Sequence, residues 1–504
     1  MAREAYPGVV LDLLAAAGDR PVFEHGARVV TGSAMLGLVR RIAAGLRGAG
    51  IGPGDGLAMM LGVTPEAFAA IMASHVVGAR VCGIRPGLPD ERLRHLLRRD
   101  ATAVVTDATT TVVTDATTGT EATGATTGPV AGPRRLALAD LVSTPDPGDD
   151  PKPAGRPHDV ARLVYTSGST GRPKACAQTY AGMAAAWAAR PAAWPPVVRD
   201  LAARLGRYLV FGSLSSQVMI EYGVLALAAG GAMVVADPPD LPGAIVRHRG
   251  SGLVITVPRL RRLVAAQRAD PVDLGCLRAL MVSGSPLPAG LHREALDVLG
   301  PVVFHGYGQT ETGMISMATP ADPPGSVGTP PAAVDVVVRG PDGAPVPVGV
   351  DGELYVRTPA QAVGYWADPA ETAEVFVDGW VRTRDLGHLD PAGRLHLVGR
   401  ARDVVIVNAN LHYAGPIERA LASHPDVAEA YVVAVPDADT GEAVHAFVVP
   451  VAGRTPAHDA LRELVARRLG AACVPARITE IAEPPLAPSG KPDKRLLTGG
   501  EPSA

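Results

Sequence analysis

Cysteine is scarce in this chain: the four residues Cys82, Cys176, Cys276 and Cys473 stand far apart, with no CxxC or other metal-ligand spacing among them. Neither a disulfide scaffold nor a zinc site is expected, and a reducing cytoplasm fits best. An excess of one charge is also missing. Lys and Arg total 47 against 50 acidic residues, a formal net charge of -3, so nothing in the balance favours nucleic acid or another polyanion. The basic cluster Arg259-Leu260-Arg261-Arg262 reads as a solvated helix face, with a docking patch as the alternative. Membrane-length apolar runs are absent too. The longest, Tyr222 to Ala236, is rich in glycine and short for a bilayer helix. Glu4 and Asp12 interrupt the first apolar segment, so no signal peptide is expected.

What is present is enough apolar material for more than one core. Hydrophobic residues make up 47% of 504 positions and charged ones 19%, and single cores stop growing at roughly 250–300 residues. At least two domains are expected. The 57 Gly and 47 Pro, with abundant Ala, look partly like the composition of a GC-rich genome. Helical periodicity in Ser33 to Gly50 leads through Gly-Pro-Gly-Asp into an apolar strand, and similar helix-strand alternation recurs through "TAVVTD" and again from Gly206 to about Gly308. That rhythm predicts an α/β fold with largely parallel, helix-covered sheets. After Pro331 the texture becomes strand and turn, with hairpins around Pro-Asp-Gly and "DPAG", and the last hundred residues read as a small α+β domain. Residues of about 106–157, in which "VVTDATT" occurs twice before a Thr/Ala/Gly-rich tract, read as one long exposed excursion.

The stretch "YTSGSTGRPK", Tyr165 to Lys174, carries the first chemical signal. Backbone amides of a Ser/Thr/Gly-rich turn can converge into a nest for an anion. Gly168 and Gly171 stand too close together for a Walker loop, and Ala175 rather than Ser or Thr follows Lys174. Downstream lie "GYGQTETG" (Gly306 to Gly313), "GELYVRTPAQAVGYW" (Gly352 to Trp366), "DGWVRTRDLG" (Asp378 to Gly387), "GRARD" (Gly399 to Asp403) and "PSGKPDKR" (Pro488 to Arg495). Taken in this order, these elements make the chain resemble, over essentially its whole length, the adenylate-forming ligases: acyl- and aryl-CoA synthetases, stand-alone adenylation enzymes and luciferase-like enzymes.

The resemblance implies a large αβα domain with a β-rich part over 1–400, and a small mobile lid over 401–504 that turns about Arg402. It implies ATP and Mg²⁺ as cofactors. Thr166, Ser167, Gly168, Ser169, Thr170, Gly171 and Lys174 would cradle the β- and γ-phosphates. Thr310 would bond the α-phosphate, Glu311 would hold Mg²⁺, and Asp385 would accept the ribose hydroxyls with Arg400 beside it. Gly284, Ser285 and Pro286 with Gly306 and Tyr307 would flank adenine. Lys491 would bridge the carboxylate and the α-phosphate. Such charge is what attack of one anion on another requires. Phe211, Ser213, Ser216, Glu221, His305 and Gly308 are the candidates for contacting the acid, and for His305 a packed or solvated imidazole is favoured over a catalytic base.

Two departures from the family pattern stand out. Arg384 replaces the glycine usual before the ribose aspartate, and Asn408-Ala409 stand where two glycines are common beside the pantetheine tunnel. In addition, Phe211-Gly212-Ser213 offers no carboxylate for an α-amino group; Glu221 is the nearest. The expectation is therefore a ligase that adenylates an aryl, aliphatic or unusual amino acid and passes the acyl group to CoA or to a carrier-protein phosphopantetheine. The alternatives are a non-thiol acceptor, activation of a group other than a carboxylate, or a non-catalytic binding module. A monomer or homodimer is expected, without nucleic-acid or membrane partners.

Overall fold

The computed structural model describes residues 5–84, 90–107, 133–167, 173–401, 403–407, 410–437, 441–487 and 491–498. Within them the chain builds four sheets. An eight-stranded sheet runs from Gly313–Ala318 at one edge to Arg28–Thr31 at the other, and a seven-stranded sheet includes Gly56–Met60, Arg80–Gly83 and Val160–Ser167. The central strands of both pair in parallel, as the alternating pattern predicts.

Alternation along each strand explains the layering. Tyr208 and Val210 face the core between the two sheets, whereas Leu209 faces the other side, against the helices Gly243–His248, Val257–Ala269 and Ala289–Leu299. Leu57 and Met59 likewise face inward, and Ala58 and Met60 outward. Between the sheets run Gly32–Gly48 and Pro65–Val76, capped by Thr31 and Thr64, whose hydroxyls accept from Ala34 N at 3.2 Å and Ala67 N at 3.1 Å. No helix among the described residues is long and apolar enough to cross a membrane.

A smaller antiparallel sheet of Asp335–Arg339, Gly352–Arg357, Phe376–Val377, Trp380–Leu389 and Leu395–Arg400 contains both expected hairpins. The fourth sheet, built from residues 404–480, carries Ala414–Ala422 and His458–Leu469 around its own core. Where that unit meets Leu395–Arg400 the backbones nearly touch: a Cβ on Gly415 would lie 2.2 Å from the Val398 carbonyl, so only glycine fits there.

Two expectations need correction. The span 106–157 is not one featureless excursion: Arg134–Ala137 joins the seven-stranded sheet, and the short helix Leu138–Val142 buries Leu138 and Leu141. Residues 143–157 are pinned by Arg40, which donates to Asp146 at 2.7 and 2.8 Å, and by Ala154 N, which donates to Val76 O at 2.9 Å. The repeated Thr-rich tract lies largely outside the described residues. Nor is Arg259 to Arg262 simply a solvated face. Arg261 Nε donates to Glu429 Oε1 at 2.9 Å across the boundary between the units, and Arg259 stacks on Phe211, 4.4 Å from its ring centre.

Candidate active site

The strand Trp380–Leu389 carries Asp385 into a nearly closed setting, 5% exposed. Tyr307 Oη donates to its Oδ2 at 2.8 Å, Gln309 Nε2 donates to the same oxygen at 2.6 Å, and Arg400 Nε meets Oδ1 at 2.9 Å. Arg400 sits directly opposite Asp385 in the antiparallel register, and the aspartate's charge holds the guanidinium above its usual pKa. The Tyr307 ring is packed rather than open. It is 7% exposed in the core formed by Ile315, Val338 and Leu354, and burial drives its hydroxyl pKa upward.

Glu311 follows on the turn between Val303–Gln309 and Gly313–Ala318. Tyr365 Oη donates to its Oε1 at 2.7 Å, which leaves Oε2 for another partner. Cys176 Sγ donates to the Thr310 carbonyl at 3.6 Å, tying this turn to the strand Pro173–Thr179. Lys174, on that strand, is ion-paired with Glu371 and lies 5.5 Å from the Tyr365 ring centre. Arg384 binds the same carboxylate at 2.8 Å and Glu374 at 2.8 Å. Its φ of 58° lies in the left-handed region, which accounts for the usual glycine. Its side chain reaches the carboxylates of Glu371 and Glu374 on the helix Pro369–Val375.

From the small unit, Lys491 approaches the Gly284 turn. A Cβ on Gly284, whose φ is +94°, would lie 2.9 Å from Lys491 Cε. Lys494 is engaged elsewhere, 2.8 Å from Asp403 and 2.6 Å from Glu418. Gly168, Ser169, Thr170, Gly171, Arg402, Asn408 and Ala409 lie outside the described residues, and of Thr166 and Ser167 only the backbone, in the strand Val160–Ser167, is described.

Beside Gly313 and Met314 opens a cavity of about 480 Å³, walled by Met183, Trp187, Ile220 and Val224 and containing Arg162, Gln178 and Glu221. Of the residues expected to contact the acid, only Glu221 lines it. Phe211 is held by Arg259, and Ser213 Oγ accepts from Ser215 N at 3.2 Å. Ser216 begins the helix Gln217–Ala228 without a side-chain cap. A Cβ on Gly308 would sit 2.4 Å from the Gly313 carbonyl, so that glycine serves close strand approach. His305 is a packed residue, 3% exposed, with Nδ1 3.2 Å from Ser326 O and its ring edge-on to His292. Burial pulls its pKa down to about 4. The sequence reading missed Arg162, Gln178, Met183 and Trp187.

Residues 13–366 match the AMP-binding enzyme family and residues 416–491 match the AMP-binding enzyme C-terminal domain. A feruloyl-CoA synthase from Amycolatopsis sp is 32% identical over 93% of this chain and 93% of its own. A fatty acid–[acyl-carrier-protein] ligase from Streptomyces coeruleorubidus is 33% identical over 69% of each. Among solved structures, the amide bond synthetase McbA from Marinactinospora thermotolerans superimposes with a TM-score of 0.83 at 30% identity, over 97% of this chain and 98% of that one. With these matches over most of its length, the chain belongs to the AMP-binding enzyme family and is an ATP-dependent adenylate-forming ligase.

Proposed function

We propose that the chain adenylates a carboxylic acid with an apolar body lying in the 480 Å³ cavity, then transfers the acyl group to the thiol of CoA or of a carrier-protein phosphopantetheine. The observation carrying this reading is the convergence of Lys491 on the Gly284 turn while the cavity opens along the strand that follows Glu311. In this reading Thr166 to Gly171 and Lys174 hold the outer phosphates. Asp385 and Arg400 hold the ribose, Thr310 holds the α-phosphate, and the turn Gly284 to Pro286 flanks adenine. Residues 1–400 and 401–504 act as two units. The free Glu311 oxygen suits Mg²⁺, which binds through one or two carboxylates plus phosphate oxygens and water. Phosphate oxygens of the nucleotide and water would supply the other ligands.

A wall substitution tests the cavity. Met314→Trp should raise KM for every accepted acid by about tenfold or more, because added bulk in a packed space has nowhere to go, and should leave the KM for ATP within twofold. Pyrophosphate release measured against each substrate checks this; unchanged KM values for all acids would remove the cavity from the reading.

The thiol acceptor is supported by the CoA- and carrier-protein-dependent relatives. A second reading, an amine acceptor, is favoured by the 30% identity and near-complete overlap with an amide bond synthetase and by Asn408-Ala409 in place of two glycines. Single-turnover reaction of preformed acyl-adenylate separates the two. CoA or a phosphopantetheinylated carrier should accelerate AMP release by about tenfold or more over buffer, if proximity at the site is what assists the thiol. Acceleration by amines and by neither thiol would replace the first reading with the second.

A further inference from the structure

Arg162 is out of place by composition. It lies on Val160–Ser167 among apolar neighbours, and its side chain is only 7% exposed. It stands directly across from Gln178 in the register. Its Nε and Nη2 donate to Gln178 Oε1 at 2.9 and 2.5 Å, and Nη2 also donates to Glu221 Oε1 at 3.2 Å. An ion pair in such a setting adds little stability over a well-packed apolar pair, because desolvation offsets the attraction. Stability is therefore a poor reason for it to be there. All three residues line the cavity, and no hydrogen bond among the described residues uses Arg162 Nη1, Gln178 Nε2 or Glu221 Oε2. The cavity thus has apolar walls and, at one place, two donors beside one acceptor.

Charge and length narrow the occupant. A second carboxylate on the acid would meet Glu221, and an ammonium would meet Arg162. A neutral group that both accepts and donates satisfies all three atoms. Gln178 and Lys174 lie four residues apart on Pro173–Thr179, hence on the same face and separated by about 13 Å. The polar place is therefore well removed from the phosphate end.

We propose that Arg162, Gln178 and Glu221 determine specificity by binding a hydroxyl at the far end of an elongated, otherwise apolar acid. This rests on the reading that the cavity holds the acid. Selection then operates through unpaired polar groups: an acid lacking the hydroxyl leaves the buried donors and acceptor unmatched.

The test is acid-dependent pyrophosphate release with matched pairs: 8-hydroxyoctanoate against octanoate, and 4-(4-hydroxyphenyl)butanoate against 4-phenylbutanoate. In the wild type, kcat/KM should favour the hydroxylated member by roughly 10- to 100-fold, the scale of a hydrogen bond to a charged group. The double variant Arg162→Met/Glu221→Leu removes both charges together, which buried pairs tolerate better than loss of one. It should bring the ratio to about one while improving use of the plain acids. Glu221→Gln, which keeps the shape but replaces the carboxylate with a neutral amide, should lower the ratio by an intermediate amount. Equal use of both members by the wild type, preference for a terminal carboxylate (suberate over octanoate), or a ratio unchanged in the double variant would overturn the proposal. Where that happens and Met314→Trp still impairs every acid, the cavity reading stands and only the hydroxyl assignment fails. Where Met314→Trp also changes nothing, both fail.

Discussion

Replacing Lys491 with alanine should lower acid-dependent pyrophosphate exchange by about 10²–10³, with ATP binding retained within a few-fold. The lysine belongs to the small unit yet reaches the Gly284 turn, where the side chain's Cε would touch any Cβ present. A cation delivered there faces charge that grows only as the carboxylate attacks phosphorus, so its loss falls on the transition state, in the range seen when one stabilising donor is removed. Lys494 does not offer a substitute, because Asp403 and Glu418 already claim its ammonium and, against the opposing effect of burial, hold its pKa above the usual value. Isotope exchange between pyrophosphate and ATP reports the step directly, and an exchange rate near that of the wild type would remove Lys491 from the chemistry.

Glu311→Gln should weaken apparent Mg²⁺ affinity by at least about 10²-fold, since even residues that merely orient metal ligands cost 10- to 100-fold. The amide oxygen can still accept from Tyr365, whose hydroxyl now donates to Oε1 at 2.7 Å. The turn should therefore keep its shape while losing the charge on the oxygen left open. Excess Mg²⁺ should restore part of the rate, which a folding defect would not allow. Titration of exchange activity with Mg²⁺ measures the shift; an unchanged midpoint would put the ion elsewhere.

The residues assigned to the nucleotide in the proposed reading came from the family resemblance, which rests on short contiguous motifs. Glycines and hydroxyls cluster at a loop, and Asp385 sits in a short recognisable run. The cavity proposed to hold the acid was not readable, for a physical reason. Its polar end joins Arg162 and Gln178, sixteen positions apart, through strand register, and adds Glu221 from a helix; no contiguous run records such a meeting. Its walls come partly from Met183 to Arg190, an alanine-rich stretch that looks like genomic composition until it folds around a void. Arg384 shows the converse case. The sequence flagged it only as a replacement for the glycine usual before Asp385, and its left-handed backbone together with Glu371 and Glu374 shows it bracing the neighbouring helix.

The contact between Arg261 and Glu429 bears on the proposed rotation of the small unit. Glu429 is 5% exposed and is served from its own strand by Tyr431, while Arg261 reaches it from the large unit. The proposed rotation of the small unit would part the two side chains and open both to water, so the pair would release at little cost, and Tyr431 would keep the carboxylate placed while the arginine is away. Being a contact between charges rather than an interlocked apolar seam, it would let the proposed rotation proceed without repacking either core.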